Sequence, residues 1–144
     1  MTTDTPADPD CIFCKIAAGG LPASVVYTDD DVLAFLDIRP ITTGHLLVAP
    51  RRHAASLAEL DPDTGGQMFR TAQRLAAAIR VSGVPCDGIN LYLADGAVAG
   101  QDVFHVHLHV LPRTAGDGFR LSAQFRHPDR AELDATAELI RARL

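Results

Sequence analysis

Apolar positions follow two different rhythms along the chain, and the change of rhythm marks out its elements. Residues 25–27 and 32–36 are short apolar runs on either side of Thr28, Asp29, Asp30 and Asp31, the pattern of two strands joined by a hairpin turn. Residues 45–49 read as a third strand, stopped at Pro50. A helical period then takes over: Met68, Ala72, Leu75, Ala76 and Ile79 share one stripe, behind Asp61 as N-cap and Pro62 at the first helical position. Ser82, Gly83, Val84 and Pro85 end that helix. Residues 89–93 and 105–111 return to the strand rhythm, joined through a glycine-containing loop. Residues 128–144 read as a final helix with Leu133, Ala137, Ile140 and Leu144 on one side. Strands outnumber helices and do not alternate with them. The expected class is therefore α+β, with a mainly antiparallel five-stranded sheet, one long central helix and a C-terminal helix.

At 144 residues the chain is long enough for one domain with a proper core. That domain is expected over residues 11–144, behind a polar, disordered tail over 1–10. The composition, 47% hydrophobic and 22% charged, is that of an ordinary soluble protein. A net charge of −5 argues against a nucleic-acid-binding surface, and no apolar stretch is long enough to span a bilayer. The N-terminus lacks the basic start and apolar run of a secretion signal. Three cysteines, two of them close together, do not form a disulfide framework, so a reducing cytoplasm is the expected setting.

Half of the six histidines lie at alternate positions of one run: His105, His107 and His109. On a strand these imidazoles share one face, while Val106, Leu108 and Val110 take the other. A polar strand face is usually filled by Thr, Ser, Lys or Glu, so repeated histidine asks for a nucleophile, a proton donor or a metal ligand. Just upstream, Gly96, Gly100, Gln101, Asp102 and Val103 form a loop whose glycines allow backbone N–H groups to approach an anion.

The run from Gly100 to Arg113 resembles the signature of the histidine-triad (HIT) family of nucleotide hydrolases and transferases. Residues 33–38 and 44–53 resemble the family's two upstream blocks, and residues 11–16 resemble the start of its bacterial Hint-like members. The resemblance covers roughly residues 11–120. It implies a HIT-like fold and a covalent mechanism on purine nucleotide conjugates such as phosphoramidates, adenylates or dinucleoside polyphosphates. His107 would attack the α-phosphorus, and water would then release AMP or another nucleoside monophosphate. In that scheme His109 attends the phosphoryl oxygens, and Gln101 steadies the phosphate and orients the leaving group or water. His45 supports the triad from behind, and Asp37 receives the ribose hydroxyls. Ile12, Phe13, Ile16, Phe35 and Ile38 wall the base, with Gly100, Asp102 and Val103 completing the nucleotide site. A homodimer, formed through the central helix and an adjoining strand edge, is also implied. Two positions depart from the family pattern. Asp102 stands where a Ser or Thr is usual, and Ala94 where many relatives carry Asn. A carboxylate beside a phosphate is repulsive, which points to an altered leaving-group preference or lower activity.

Cys11 and Cys14 have the Cys-x-x-Cys spacing that lets two thiolates hold one tetrahedral ion. His53 and His105 are the candidate third and fourth ligands, an arrangement similar to zinc-containing members of the superfamily. The metal would be structural, pinning the N-terminal segment to the sheet. Reduced core thiols are the bland alternative. A thioredoxin-like pair is less favoured, because no strand precedes the motif and no helix pattern follows it. Cys86 reads as a small buried hydrophobe. Two further functions stay open: a zinc hydrolase using all three histidines as ligands, and a nucleotide-binding zinc protein with weak or no catalysis.

Overall fold

A computed structural model describes residues 7–144 of the chain. The tail expected over 1–10 falls mostly on residues 1–6, outside the described residues. Residues 8–11 form a turn in which the Cys11 N–H donates to the Asp8 carbonyl at 3.1 Å. The elements follow in the order α1 (Ile12–Ala17), β1 (Val25–Thr28), β2 (Val32–Leu36), β3 (Leu46–Pro50), α2 (Pro62–Val81), β4 (Gly88–Leu93), β5 (Leu108–Arg113) and α3 (Arg130–Arg141). The strands make one five-stranded sheet in the order β1-β2-β3-β5-β4, antiparallel at every pairing. The α+β class and the five strands are as the pattern of the sequence leads one to expect.

Both faces of the sheet's centre are covered, which explains why β2 and β3 are nearly continuous apolar runs. Val32, Ala34, Leu46 and Val48 face α2, where they pack with Met68, Ala72 and Ile79. Leu33, Phe35, Leu47 and Ala49 face the other way and pack against Cys11, Phe13 and Cys14 of the N-terminal segment. Of the stripe on α2, Met68, Ala72 and Ile79 are buried in this core and Leu75 packs at its edge. The helix starts as its sequence dictates, with the Asp61 carboxylate accepting the N–H groups of Asp63 and Thr64 at 2.9 and 3.0 Å.

Four expectations need correction. The strand expected over 105–111 begins only at Leu108. In the β3–β5 register, Leu46 faces Val110 and Val48 faces Leu108, so Pro50 would come opposite Val106. Pro50 has no N–H to give the ladder, and the Val106 N–H donates to the Ala54 carbonyl at 2.7 Å instead. A helix does follow Cys11: α1, with the Cys11 sulfur accepting the Cys14 N–H at 3.5 Å. Six residues are too few to show a helical period, and its apolar side chains serve two surroundings at once. The last helix spans Arg130–Arg141 rather than 128–144 and buries none of its side chains. Cys86 is half-buried, its thiol reaching the Gly88 carbonyl at 3.4 Å. No helix among the described residues is long and apolar enough to cross a membrane.

Candidate active site and metal-ligand cluster

The three histidines keep a common side even without a continuous strand, because Val106, Leu108 and Val110 go to the core beneath α2. On the opposite side lies a cavity of about 730 Å³. Its apolar end is lined by Ile12, Phe13 and Ile16 of α1, with Phe35, Leu47 and Ile38. Asp37, Arg39, His45, Tyr92, Gly100, Asp102, Val103, His107 and His109 line the polar end.

Hydrogen bonds fix the protonation of each ring. His107 Nδ1 lies 2.7 Å from the His105 carbonyl oxygen. A carbonyl only accepts, so Nδ1 carries a proton, and in the neutral ring the lone pair is on Nε2. The Ile41 N–H donates to His45 Nδ1 at 3.1 Å, which puts the His45 proton on Nε2. That proton is donated to His109 Nδ1 at 2.8 Å, leaving the His109 proton on Nε2. Burial above all, with His107 and His45 adding to it, lowers the His109 pKa to about 4. Burial also lowers that of His45, against the pull of Asp37. Both rings are neutral near pH 7. His107 and His109 stand side by side along the cavity, with ring centroids 4.9 Å apart.

The loop before the triad is held by Gln101. Its Oε1 accepts the Gly96 N–H at 2.8 Å, and its Nε2 donates to the carbonyls of Ala55 and Val103 at 2.9 and 3.2 Å. The side chain is buried and does not line the cavity. The structure therefore places the Gln101 side chain behind the loop. Gly100 follows a single 3-10 turn with φ 95°, a left-handed conformation that a side chain would strain. Asp102 projects outward: one carboxylate oxygen lies 4.0 Å from His107 Nε2 and the other 3.6 Å from Arg39. Asp37 accepts the Arg39 N–H at 2.8 Å, and its second oxygen lies 3.8 Å from His45 Nδ1.

Cys11, Cys14, His53 and His105 converge, with one donor atom from each lying within 4.8 Å of the others. His105 Nδ1 is 3.4 and 3.5 Å from the sulfurs of Cys11 and Cys14, and His53 Nδ1 is 3.3 Å from Cys14. Tetrahedral zinc with these ligand types has S···N edges of roughly 3.5 Å. His105 Nε2 lies 2.7 Å from the Pro50 carbonyl, so its proton is there and its Nδ1 lone pair faces the thiols. Burial raises the Cys14 thiol pKa and lowers that of His105 to about 4. A dication supplies the positive charge that a buried thiolate pair needs. The donor set fits zinc. The three triad rings, by contrast, do not aim at one point, because His105 turns toward the sulfurs.

Tyr92 and Arg39 are cavity residues that the sequence reading did not single out. For Tyr92 the signal was present: Ile89, Leu91 and Leu93 pack in the core under α2, so alternation puts Asn90 and Tyr92 on the histidine side.

The HIT domain family model matches residues 18–116. An uncharacterized HIT-like protein of Borreliella burgdorferi is 49% identical over 111 residues, 76% of this chain and 80% of that protein. The adenylylsulfatase HINT3 of Arabidopsis thaliana is 38% identical over 81% of this chain and 59% of its own length. Among solved structures, a HIT family member from Bacillus subtilis matches with a TM-score of 0.86 and 37% identity, covering 94% of this chain and 97% of that one. A zinc-bound histidine triad family protein from Mycobacterium smegmatis matches at 0.74 and 43%, covering 92% and 97%. A histidine triad nucleotide-binding protein from Candida albicans matches at 0.84 and 28%, covering 92% and 96%. Fold, triad and similarity agree: this chain belongs to the HIT family, on its bacterial Hint-like side.

Proposed function

We propose that the chain is a nucleotidyl hydrolase or transferase that cuts purine nucleotide conjugates at the α-phosphate through a nucleotidyl-His107 intermediate. HIT proteins as a family are nucleotide hydrolases and transferases, which supports the coarse class. The bare Nε2 of His107, left by its Nδ1–H bond to the His105 carbonyl, carries the finer reading. In the first step the Nε2 pair forms an N–P bond as the bond from phosphorus to the leaving group breaks. The leaving group departs with that electron pair and takes up a proton. In the second step water attacks phosphorus and gives up a proton to solvent, the N–P bond breaks, its pair returns to His107, and a nucleoside monophosphate is released.

The other residues bind and orient. Ile12, Phe13, Ile16, Phe35 and Ile38 enclose the base, and Asp37 takes the ribose hydroxyls. His109 Nε2–H donates to a phosphoryl oxygen, where negative charge grows during the attack. His45 sets the His109 tautomer, and Gln101 holds the Gly100–Val103 loop in shape beside the phosphate. Cys11, Cys14, His53 and His105 would hold a zinc ion, whose charge stabilises the thiolates and ties the N-terminal segment to the sheet. The reading includes a second copy of the chain as partner, meeting it through the central helix and an adjoining strand edge as the family resemblance implies. It places the protein in the cytoplasm, where the free thiols persist.

A turnover panel of adenosine phosphoramidate, diadenosine polyphosphates and adenylylated lysine tests the proposal, with mass spectrometry of the denatured protein for AMP on His107. Release of AMP together with an adduct on His107 supports it. AMP binding with no turnover and no adduct favours the second reading, a nucleotide-binding zinc protein with weak or no catalysis. The carboxylate 4.0 Å from His107 Nε2 is what keeps that second reading in play.

A further inference from the structure

Tyr92 lies directly opposite His109 in the β4–β5 register, on the cavity side of the sheet. The two rings are stacked, with centroids 4.1 Å apart and planes inclined by only 13°. No other ring lies so close to His109: His45 and His107 stand at 5.1 and 4.9 Å, tilted by 37° and 57°. A hydrogen bond from His45 Nε2 fixes the Nδ1 end of His109. One in-plane hydrogen bond anchors an edge but leaves the ring free to swing about that contact. A face-to-face stack removes the remaining freedom, because it fixes the plane of the ring and therefore the line along which Nε2–H points. Aiming such a donor correctly is worth much in rate, since small displacements of a positioned group cost large factors.

We propose that Tyr92 is a positioning residue for His109, holding the imidazole plane so that Nε2–H points at the phosphoryl group. The inference rests on the reading of this cavity as a nucleotidyl-transfer site. The ring, not the hydroxyl, does the positioning: the hydroxyl has no hydrogen-bond partner among the described residues, whereas the ring covers the imidazole. Burial and the charges of Asp37 and Asp102 raise the phenol pKa, so it stays protonated and adds no charge beside the phosphate. The strand pairing needs only the backbone of residue 92, so a leucine there preserves the sheet while losing the aromatic face.

Tyr92→Phe and Tyr92→Leu separate these contributions in the full-length, zinc-loaded protein. With adenosine phosphoramidate, Tyr92→Leu is expected to lower kcat about 10-fold or more, with KM changed less than about 2-fold. Tyr92→Phe should restore at least half of the wild-type kcat. Equal kcat in the leucine variant and the wild type, or a loss in the phenylalanine variant as large as in the leucine variant, overturns the proposal. Nitrogen chemical shifts of His109 give a second measurement that needs no turnover. Wild type and Tyr92→Phe should show one sharp Nε2–H tautomer, and Tyr92→Leu a broadened or mixed one; an unchanged His109 signal in the leucine variant overturns the proposal. If the wild type turns over none of the conjugates, the functional reading fails, and the His109 signal alone decides the role of Tyr92.

Discussion

His107 Nδ1 sits 2.7 Å from the carbonyl oxygen of His105, the residue whose own ring faces the cysteine sulfurs. One residue thus sets the tautomer of His107 with its backbone and joins the cluster of Cys11, Cys14 and His53 with its side chain. His107→Ala should abolish the nucleotidyl adduct and lower single-turnover rates by about 10³-fold or more. AMP affinity, read by calorimetry, should change less than about 5-fold, because the base and ribose contacts lie elsewhere. Residual turnover near the wild-type level would assign the nucleophile to another group.

Metal removal should reach the nucleotide pocket. α1 and its cap carry Cys11 and Cys14 toward the cluster and Ile12, Phe13 and Ile16 toward the cavity. The Phe13 ring also packs edge-on against His105 and His107, at 5.7 and 5.1 Å. Chelation, or Cys14→Ser, is expected to lower Tm and weaken AMP binding several-fold. By linkage, AMP should tighten zinc by the same factor. Zinc competition assays with and without AMP check this; no mutual effect would make the cluster independent of the pocket.

Acid should destabilise the fold through the buried rings. The folded-state pKa of His109, about 4, lies below the ordinary value of 6.5, and that of His45 is lowered too. The folded protein then binds fewer protons than the unfolded chain across that interval. The stability these rings contribute is full above about pH 6.5 and is lost as pH falls toward 4. Urea unfolding between pH 4.5 and 7.5 should show a positive slope of unfolding free energy with pH, up to about 1.4 kcal/mol per unit for each such ring. His109→Asn should flatten it.

Asp102 should bias the enzyme against anionic leaving groups. Its carboxylate lies 4.0 Å from His107 Nε2, the nitrogen proposed to attack, and the Arg39 that pairs with it is largely exposed. An exposed pair of this kind screens the charge weakly, and a like charge about 5 Å away costs on the order of 1–2 kcal/mol at an intermediate dielectric. Asp102→Asn is therefore expected to raise kcat/KM for diadenosine polyphosphates about 10-fold relative to adenosine phosphoramidate. Parallel kinetics on the two substrates read the ratio directly; an unchanged ratio removes Asp102 from leaving-group choice.

Much of this architecture was legible because local rules and packing agree. The apolar run of β2 and the stripe of the capped α2 match their burial, whereas β1 leaves Val25 and Val26 exposed. The convergence of the candidate residues was legible through motif spacing, since the triad face and the Cys-x-x-Cys pair each sit within a few residues. What escaped notice depended on partners far away in sequence. The ladder stops short of His107 because Pro50, more than fifty residues upstream, cannot donate. Gln101 looks like a phosphate ligand in its loop, yet Ala55 and Gly96 claim its amide. Tyr92 acquires its place only when β4 pairs with β5.

The strand order β1-β2-β3-β5-β4 also governs when the site comes into being. β5, the last strand to leave the ribosome, inserts between β3 and β4, and β4 has no other neighbour in the sheet. Until β5 emerges, a nascent chain has an unpaired β4 and no His109 between His45 and Tyr92. Domains generally fold as units, and long-range pairings such as β3 with β5 are slow to close. A chain that stops before Leu108 therefore lacks both His109 and the strand that joins β3 to β4.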